Sequence, residues 1–364
     1  MSTATLPTPS YYPFVSVIIP IYNGEQDLPG LLECLMNQTY PKDKVEYLLV
    51  DNASSDRTSQ ILAAAVQTFT DQGLTLKVLN ETDIQSAYAA RNTGIRTAQG
   101  AFFAFTDADC YPQPHWLTRL IQPFTDSTIG LVAGEITAFP GTTLLESYAE
   151  RKHIMSQQDT LAHKFCPYGQ TANLGVRRQA LEAIGLFRPH LTTGGDADIC
   201  WRVQRETDWK IHYAEGATIQ HRHRQTLKDL HAQWYRYGKS NRYLHELHGV
   251  DLAWIQSKKE RNRSLMRWAL KELPKGAVKY VLGQGPVVDM VTIPLEIYCS
   301  KARDLGQKEA KLPEAARQKS YFAAPPFNRA DAYHASESNT SEPNAPEPNA
   351  PEPNIPEQIA SSIE

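Results

Sequence analysis

The chain has 364 residues, of which 41% are hydrophobic and 21% are charged, and these near-average values exclude a collagen-like, wholly disordered or heptad-only protein. The net charge of −3 conceals a segregation, because residues 220–330 carry 21 basic and 10 acidic residues whereas residues 1–219 carry 16 and 23. A basic block of this kind fits an anionic lipid surface, a nucleic acid or a phosphorylated ligand, and equally a solvated face.

Short apolar runs alternate with helical patterns in the first part of the chain, after an arm at 1–13 that is rich in Pro, Thr and Ser. This alternation predicts an α/β fold with a mostly parallel sheet covered by helices on both faces. The predicted strands are 15–20, 47–50, 74–79 and 102–105. The helix between the second and third strands has its apolar residues at helical spacing, and Ser54 or Ser55 is placed to cap it.

After Ile219 the pattern changes to long helices of mixed polarity. We therefore predict a main domain at 14–225 and a basic helical extension at 226–319. The stretch 280–298 is the most apolar late segment, but charged residues and two prolines interrupt it, so it is expected to lie on a membrane rather than cross one. Residues 320–364 contain a repeated APEPN segment and predict a disordered, acidic, Pro-rich tail.

Polar and acidic side chains follow three of the predicted strands. They are Tyr22 and Asn23 after the first strand, Asp51 after the second, and Asp107 and Asp109 after the fourth. Ligands of such sheets bind at the carboxyl ends of the strands. The two carboxylates of the DxD sequence suit Mg²⁺ or Mn²⁺ bridging a diphosphate, although a capped turn is the alternative.

Six stretches, in order along the chain, resemble the family 2 glycosyltransferases with the GT-A fold. They are VSVIIPIYNGEQDLPGLLECLMNQTYP at 15–41, YLLVDNASSDRT at 47–58, ARNTGI at 90–95, FFAFTDADC at 102–110, TANLGVRR at 171–178 and GGDADICWR at 194–202. The resemblance covers about residues 14–240. It implies a GT-A type nucleotide-sugar-binding fold and an inverting transfer of a sugar from a nucleotide diphosphate to an acceptor hydroxyl.

The resemblance also implies roles for individual residues. Asp196 is expected to be the general base, and a divalent cation, Mg²⁺ or Mn²⁺, is expected on Asp109, with Asp107 nearer the ribose or the metal waters. His221 is a further candidate metal ligand, the alternative being a polar strand end. The residues expected to bind the donor are Pro20, Tyr22, Asn23, Asp51, Arg91 and Asp107, although Arg91 can equally be structural. Asp51 can accept a hydrogen bond from the imide N–H of uracil or thymine and also from guanine; of these bases we expect uracil, and hence a UDP-sugar.

The catalytic motif departs from the family pattern, which usually has Glu-Asp where this sequence has Gly195-Asp196. The departure concerns the acceptor pocket, and it leaves open a donor-binding protein without transferase activity. Asp198 is a second candidate base, but its pairing with Arg202 one helical turn further on favours a structural role. Trp116 and Trp201 fit the core as well as a sugar platform.

Two other enzyme classes lack their sequence signals. A Rossmann oxidoreductase needs GxGxxG at the first strand-to-helix turn, and a sugar nucleotidyltransferase needs basic residues near the N-terminus, whereas the first one here is Lys42. The five cysteines form no CxxC pair. The first residues lack a charged start with an apolar run, and no stretch of about 18 uninterrupted apolar residues follows, so we expect neither export nor a membrane-spanning helix. We expect a cytoplasmic protein, peripheral at the inner membrane face, that acts on a carbohydrate or lipid-linked acceptor in cell-surface polysaccharide or glycolipid synthesis. An anionic membrane surface is an expected partner, and nucleic acid is not.

Overall fold

The computed structural model describes residues 12–322, and the four predicted early strands are all present within that range. The first half contains β1 (Val15–Ile21), α1 (Leu28–Met36), β2 (Val45–Asp51), α2 (Thr58–Asp71), β3 (Thr75–Asn80), α3 (Ala87–Thr97), β4 (Phe102–Thr106), β5 (Cys110–Pro112) and α4 (Trp116–Ile121). The middle contains β6 (Ile129–Ala138), α5 (Leu144–Arg151), α6 (Gln157–Leu161), β7 (Asn173–Arg177), α7 (Arg178–Ile184), α8 (Gly195–Glu206) and β8 (Lys210–His221). The helices that follow are α9 (Leu227–His248), α10 (Lys258–Arg267), α11 (Leu273–Val281) and α12 (Val288–Glu309).

The strands of residues 12–322 form one sheet of eight, in the order β3-β2-β1-β4-β7-β6-β8-β5. β1 pairs in parallel with β2 and β4, and β2 with β3, whereas β7 runs antiparallel to both β4 and β6. β6 and β8 are again parallel, and β5 closes the edge antiparallel to β8. The prediction of a mostly parallel sheet in an α/β fold is therefore confirmed.

Helices cover both faces of the sheet. Alternate residues of each buried strand point to opposite faces, so each strand contributes to two cores. Val17 and Ile19 of β1 belong to a core shared with α1, α2 and α4. Ile18, between them, belongs to a second core shared with α3, α7 and α8. Strands buried on both faces explain why the predicted strands read as uninterrupted apolar runs.

The cap predicted for α2 is wrong. The helix begins at Thr58, and the Asp56 carboxylate accepts a hydrogen bond from the Thr58 N–H at 3.0 Å. The backbone N–H groups of Ser54 and Ser55 instead donate to Asp51 Oδ1 and Asn23 Oδ1, so these two serines shape the loop that joins the first two strand ends.

The helices predicted after Ile219 are present, and α9 and α12 pack closely at two glycines. A β-carbon added at Gly238 would collide with the carbonyl of Arg303, and one added at Gly306 would collide with the carbonyl of Tyr235. Pro294 lies inside α12 and does not end it.

The predicted domain boundary between 225 and 226 falls in the loop between β8 and α9, and the division itself stays a prediction. Most of the arm expected at 1–13 and of the tail expected at 320–364 lies outside the described residues. Ser320, at the start of the expected tail, accepts a hydrogen bond from the Leu186 N–H through its carbonyl at 2.7 Å.

Candidate active site

A cleft of about 510 Å³ opens at the carboxyl ends of β1 and β4. Six of the residues singled out in the sequence line it, and these are Tyr22, Arg91, Asp107, Asp109, Asp196 and His221. The chain reverses after β4, with Thr106, Asp107, Ala108 and Asp109 leading into β5. β5 pairs with β8 in a register that sets Cys110 opposite His221, and this pairing brings the DxD sequence and the histidine run together.

Asp107 is engaged by Arg91. The Arg91 guanidinium donates to Asp107 Oδ1 at 2.5 Å, and the arginine side chain is almost fully buried. Arg91 lies in the middle of α3 and not at the start of a helix. Its Nε atom has no hydrogen-bond partner among the described residues. This ion pair places a fixed cation in the cleft wall and takes up one of the two DxD carboxylates.

Asp109 lies among cationic and metal-ligating groups from the end of β8. Its Oδ2 atom is 3.5 Å from His221 Nε2 and 3.5 Å from the guanidinium of Arg224. Ligand atoms of Asp109, Cys110 and His221 all lie within 4.8 Å of one another. His221 Nδ1 is buried and has no partner within residues 12–322. The fold therefore assembles one carboxylate and one imidazole around a small space.

This donor set fits a divalent cation of intermediate hardness. A carboxylate oxygen suits Mg²⁺ and Mn²⁺, and an imidazole nitrogen adds a softer ligand. Burial raises the pKa of the Cys110 thiol well above its usual value, and Asp109 and Asp107 raise it further. Mg²⁺ and Mn²⁺ prefer oxygen ligands to sulfur, so the thiol is the least suitable of the three groups. Asp109 and His221 are therefore the residues of this chain that best fit a metal, whereas Asp107 is held by Arg91.

Asp196 lies at the start of α8 and lines the cleft. The Thr171 hydroxyl donates a hydrogen bond to its Oδ1 atom at 2.7 Å. Burial raises the pKa of the Asp196 carboxyl above its ordinary value, against the opposing effects of Arg91 and of the Thr171 hydrogen bond. A carboxylate with a raised pKa at the edge of a cleft is suited to accept a proton from a bound hydroxyl.

Gly195 and Tyr88 are in direct contact beside Asp196. The Gly195 N–H donates to the Tyr88 phenolic oxygen at 2.9 Å. A β-carbon at position 195 would come within 2.6 Å of both Cε1 and Cζ of the Tyr88 ring. The aromatic ring therefore fills the space in which a side chain at position 195 would lie, and the wall next to Asp196 is a phenol.

Asp198 points away from the cleft into a buried ion network. Its carboxylate accepts hydrogen bonds from Arg188 Nε and Arg202 Nε, both at 3.0 Å, and lies 2.9 Å from His248 Nε2. These groups hold the pKa of Asp198 far below its usual value, although burial alone would raise it. These ion pairs agree with the structural role expected for Asp198, and the lowered pKa makes its carboxylate a poor second base. Trp116 and Trp201 are also fully buried and belong to the core.

Three residues expected to bind the donor do not line the cleft. Pro20 is buried within β1, Asn23 is occupied by the Ser55 backbone, and Asp51 accepts a hydrogen bond from the Ser54 N–H at 3.1 Å. Asn52, the neighbour of Asp51, does line it. The loop after β2 therefore borders the cleft.

The sequence did not single out the wall of the cleft that α9 provides. This wall consists of Gln233, Arg236 and Tyr237. Gln233 donates to the Tyr237 hydroxyl at 3.0 Å, which fixes the two side chains against each other. Their spacing of three and four residues predicts that they share one face of a helix, but the same spacing is typical of any packed helix face and does not identify a binding site.

A larger cavity of about 970 Å³ lies elsewhere, between α11 and α12. It is lined by both cations and acids, among them Arg267, Lys275, Glu272 and Asp289. The chemistry-bearing residues converge on the smaller cleft, which is therefore the candidate active site.

Two family models match the chain. The model described as "Glycosyl transferase family 2" matches residues 16–185, and the model "Glycosyl transferase family group 2" matches residues 102–295, which is more than half of the chain. Both matches include the DxD turn. The chain belongs to the family 2 glycosyltransferases.

Two curated relatives are named as glycosyltransferases. The chain is 40% identical over 201 residues to "Glycosyltransferase AglE" of Haloferax volcanii, an alignment that covers 55% of this chain and 63% of that protein. It is 30% identical over 234 residues to "Pre-mycofactocin glycosyltransferase" of Mycobacterium tuberculosis, covering 62% of this chain and 46% of that one. The chain thus spans less than two thirds of the length of these relatives.

A solved structure shares the fold. It is the mannosyltransferase PcManGT from Pyrobaculum calidifontis in complex with GDP-Man and Mn²⁺, which matches with a TM-score of 0.58 at 19% identity and covers 84% of this chain and 89% of that one. The GT-A type fold that the sequence predicted is confirmed. Within residues 12–322, every helix is too short or too polar to cross a bilayer.

Proposed function

We propose that this glycosyltransferase moves a sugar from a nucleotide diphosphate to an acceptor hydroxyl with inversion at the anomeric carbon. The observation that supports this most strongly is the convergence of Asp196 and the Asp109–His221 pair on one cleft. Asp196 is suited to remove a proton from the acceptor, and the Asp109–His221 pair is suited to stabilise the negative charge of the departing diphosphate. A single displacement needs both groups and no covalent intermediate.

In the proposed reaction, Asp196 accepts the proton of the acceptor hydroxyl as its oxygen bonds to the anomeric carbon. The bond from that carbon to the diphosphate breaks, and the nucleoside diphosphate leaves with the electron pair. Thr171 orients the Asp196 carboxylate through its hydrogen bond. Because base and leaving group act on opposite faces of the sugar, the configuration at the anomeric carbon inverts.

The negative charge of the leaving group meets cations of the chain. Arg224 and Arg91 line the cleft beside the DxD turn and are placed to bind the diphosphate oxygens. Asp109 and His221 would hold the divalent cation, which when bound supplies Lewis-acid stabilisation of the leaving diphosphate. The relative in the solved complex was crystallised with Mn²⁺ and GDP-Man, which supports a nucleotide sugar with a divalent ion as the donor complex.

We propose a UDP-sugar as donor and a carbohydrate or lipid-linked acceptor. The loop after β2 borders the cleft through Asn52. Asp51 beside it uses one carboxylate oxygen for the Ser54 N–H, and its second oxygen could accept the imide N–H of uracil, although guanine offers the same kind of donor. We propose that this transfer serves cell-surface polysaccharide or glycolipid synthesis.

Metal-dependent donor binding is tested with Asp109→Ala. Loss of the carboxylate should abolish the part of UDP affinity that depends on Mn²⁺, because the imidazole of His221 alone is a weak site for a hard cation. Calorimetry with UDP in Mn²⁺ and in EDTA measures this. Asp83→Ala, at an exposed carboxylate outside the cleft, is the matched control. Equal affinity of the wild-type protein in Mn²⁺ and in EDTA would contradict the metal assignment.

Transfer itself is tested by incubating the protein with a panel of nucleotide sugars and acceptors and following nucleoside diphosphate release and the anomeric configuration of the product. We expect release with one class of donor and an inverted product. Tight donor binding without turnover for any acceptor would instead indicate a donor-binding protein.

A further inference from the structure

The segment made of α10, the π turn at Trp268–Glu272 and α11 lies at the periphery of the molecule. α10 has no buried residue, and Gly276 is the one buried residue of α11. The segment is attached through few contacts, such as the hydrogen bond from Trp268 Nε1 to the Met290 carbonyl at 2.7 Å. Gly276 permits a close approach to the Met290 side chain. The segment borders α12 across the open cavity described above, and most of its residues are exposed in the described part of the chain.

Two adjacent rows of side chains run along this segment, each with a spacing of four residues. The first row is apolar and consists of Met266, Leu270, Pro274, Val278 and Leu282. The second row is cationic and consists of Arg267, Lys271, Lys275 and Lys279. All nine residues are exposed, and the exposed fraction of the apolar side chains reaches 78% at Leu270.

The π turn reduces the drift of the two rows around the helix axis. In an α-helix four residues turn through more than one revolution, so a row with this spacing drifts by about 40° at each step. A π turn, closed by bonds from i to i+5, is wider, and four residues within it fall short of a revolution. The turn at Trp268–Glu272 therefore offsets part of the drift between α10 and α11.

The cations of the second row form few ion pairs, although Arg267, Lys275 and Lys279 line the open cavity that also holds Glu272, Asp289 and Glu296. Arg267 lies 3.8 Å from Glu272, whereas Lys271, Lys275 and Lys279 form no ion pair within the described part of the chain. Large apolar side chains left in water beside unpaired lysines are unfavourable for a solvated helix. An anionic bilayer offers a favourable environment to both rows. The apolar side chains would be buried at the boundary of the acyl chains, and the cations would lie beside the lipid phosphates.

We propose that residues 266–282 form an amphipathic docking surface for an anionic lipid bilayer. This surface lies closer to the N-terminus than the stretch at 280–298 that the sequence predicted to lie on a membrane. Residues 288–298 belong to α12, and none of them is exposed. The docking surface is independent of the chemistry in the cleft. It attaches the enzyme along a membrane plane, where a lipid-linked acceptor is found.

The test is co-sedimentation of the full chain with vesicles of phosphatidylglycerol and phosphatidylcholine, and with vesicles of phosphatidylcholine alone. The wild-type protein should bind the anionic vesicles at low salt and be released at high salt. Reversal of Lys271, Lys275 and Lys279 to Glu should weaken partitioning by at least roughly a hundredfold, because each cation contributes about fivefold. Leu270→Glu with Val278→Glu should abolish it.

A matched control reverses Lys42, Lys44 and Lys210 to Glu, which changes the net charge equally at exposed positions of the sheet domain. This variant should bind as the wild type does, and circular dichroism should show all variants folded. Absence of wild-type binding at low salt, or equal loss in the control, would overturn the proposal. The proposal would also be overturned if the wild-type protein failed to bind vesicles but self-associated, and if the Leu270→Glu and Val278→Glu changes removed that self-association. UDP binding should be the same in every variant, which separates failure of docking from failure of the proposed transfer.

Discussion

Asp196 and Asp198 lie two residues apart in α8, yet the fold gives them opposite surroundings. Asp196 faces the cleft and accepts hydrogen bonds from the neutral donors of Thr171, whereas Asp198 is enclosed by two guanidinium groups and an imidazole. The pKa of Asp196 is raised and that of Asp198 is lowered. Of the two, only Asp196 is suited to take up a proton during a reaction near neutral pH.

We expect Asp196→Asn to lower turnover by roughly 10² to 10⁴ while donor affinity stays nearly unchanged. The wild-type kcat/KM should fall as the pH drops through the raised pKa of Asp196, because the base is then protonated, and this acid limb should vanish in the variant. The measurement is a pH–rate profile at saturating donor. Near-wild-type turnover in a folded variant would show that the base lies elsewhere.

The contact between Gly195 and Tyr88 predicts a specific coupling. In Gly195→Ala the new methyl group would overlap the ring, so Tyr88 must move and the wall beside Asp196 changes. We expect a raised acceptor KM with little change in donor affinity. Tyr88→Ala removes the overlap, and the double variant should therefore be less impaired than the sum of the two single changes. Additive effects in this double-mutant cycle would contradict the coupling.

At the scale of whole elements, the Asp198 network joins three segments of the chain. Arg188 lies in the loop after α7, Arg202 is one turn further along α8, and His248 is the last residue of α9. Arg202 also donates to the carbonyls of Ile184 and Leu186. A single buried carboxylate thus fixes α9, one wall of the cleft, to α8, which carries Asp196.

We expect Asp198→Asn to lower the free energy of unfolding by about 3–5 kcal/mol at neutral pH, because it leaves buried guanidinium groups without their counter-charge. A depressed folded-state pKa gives stability that is present above the unfolded pKa and lost as the pH falls toward the folded one. The difference from wild type should therefore shrink in acid. Urea unfolding at neutral and acidic pH measures it, with Asp196→Asn as the control that should not lose stability.

The strands and their acidic ends were predictable because each signal is local. Runs such as 102–105 are apolar over their whole length, and Asp107 and Asp109 follow directly, so the sheet edge and the DxD turn could be placed without tertiary information. Tyr88 and Gly195 are 107 residues apart, and nothing in either neighbourhood indicates that they touch. The same holds for Gln233 and Tyr237, whose helical spacing does not say which surface they face.

At the scale of the whole molecule, the crossing of α9 and α12 connects the cleft to the helices that carry the docking surface. Gly238 and Gly306 let the two backbones meet without intervening side chains. α9 then supplies Gln233, Arg236 and Tyr237 to the cleft. The C-terminal helices are therefore part of the binding site.

Gly238→Ala should force the helices apart and lower the free energy of unfolding by about 1–3 kcal/mol. Acceptor KM should rise as the α9 wall shifts. In an uncrowded helix the same change would stabilise by about 1 kcal/mol, so the sign of the effect is decisive. Chemical denaturation and steady-state kinetics measure the two effects, and a variant as stable as wild type would contradict the close crossing.

The glycine crossing also has a consequence for hydrogen exchange. Because the two backbones are in contact there, the amides near Gly238 and Gly306 are shielded and can exchange with solvent only when the helices separate as a unit. The amides of α10, with no buried residue, open by fraying one turn at a time. Exchange should therefore be slower at the crossing than along α10, so the end of α10 that begins the proposed docking surface can adjust without disturbing the wall of the cleft.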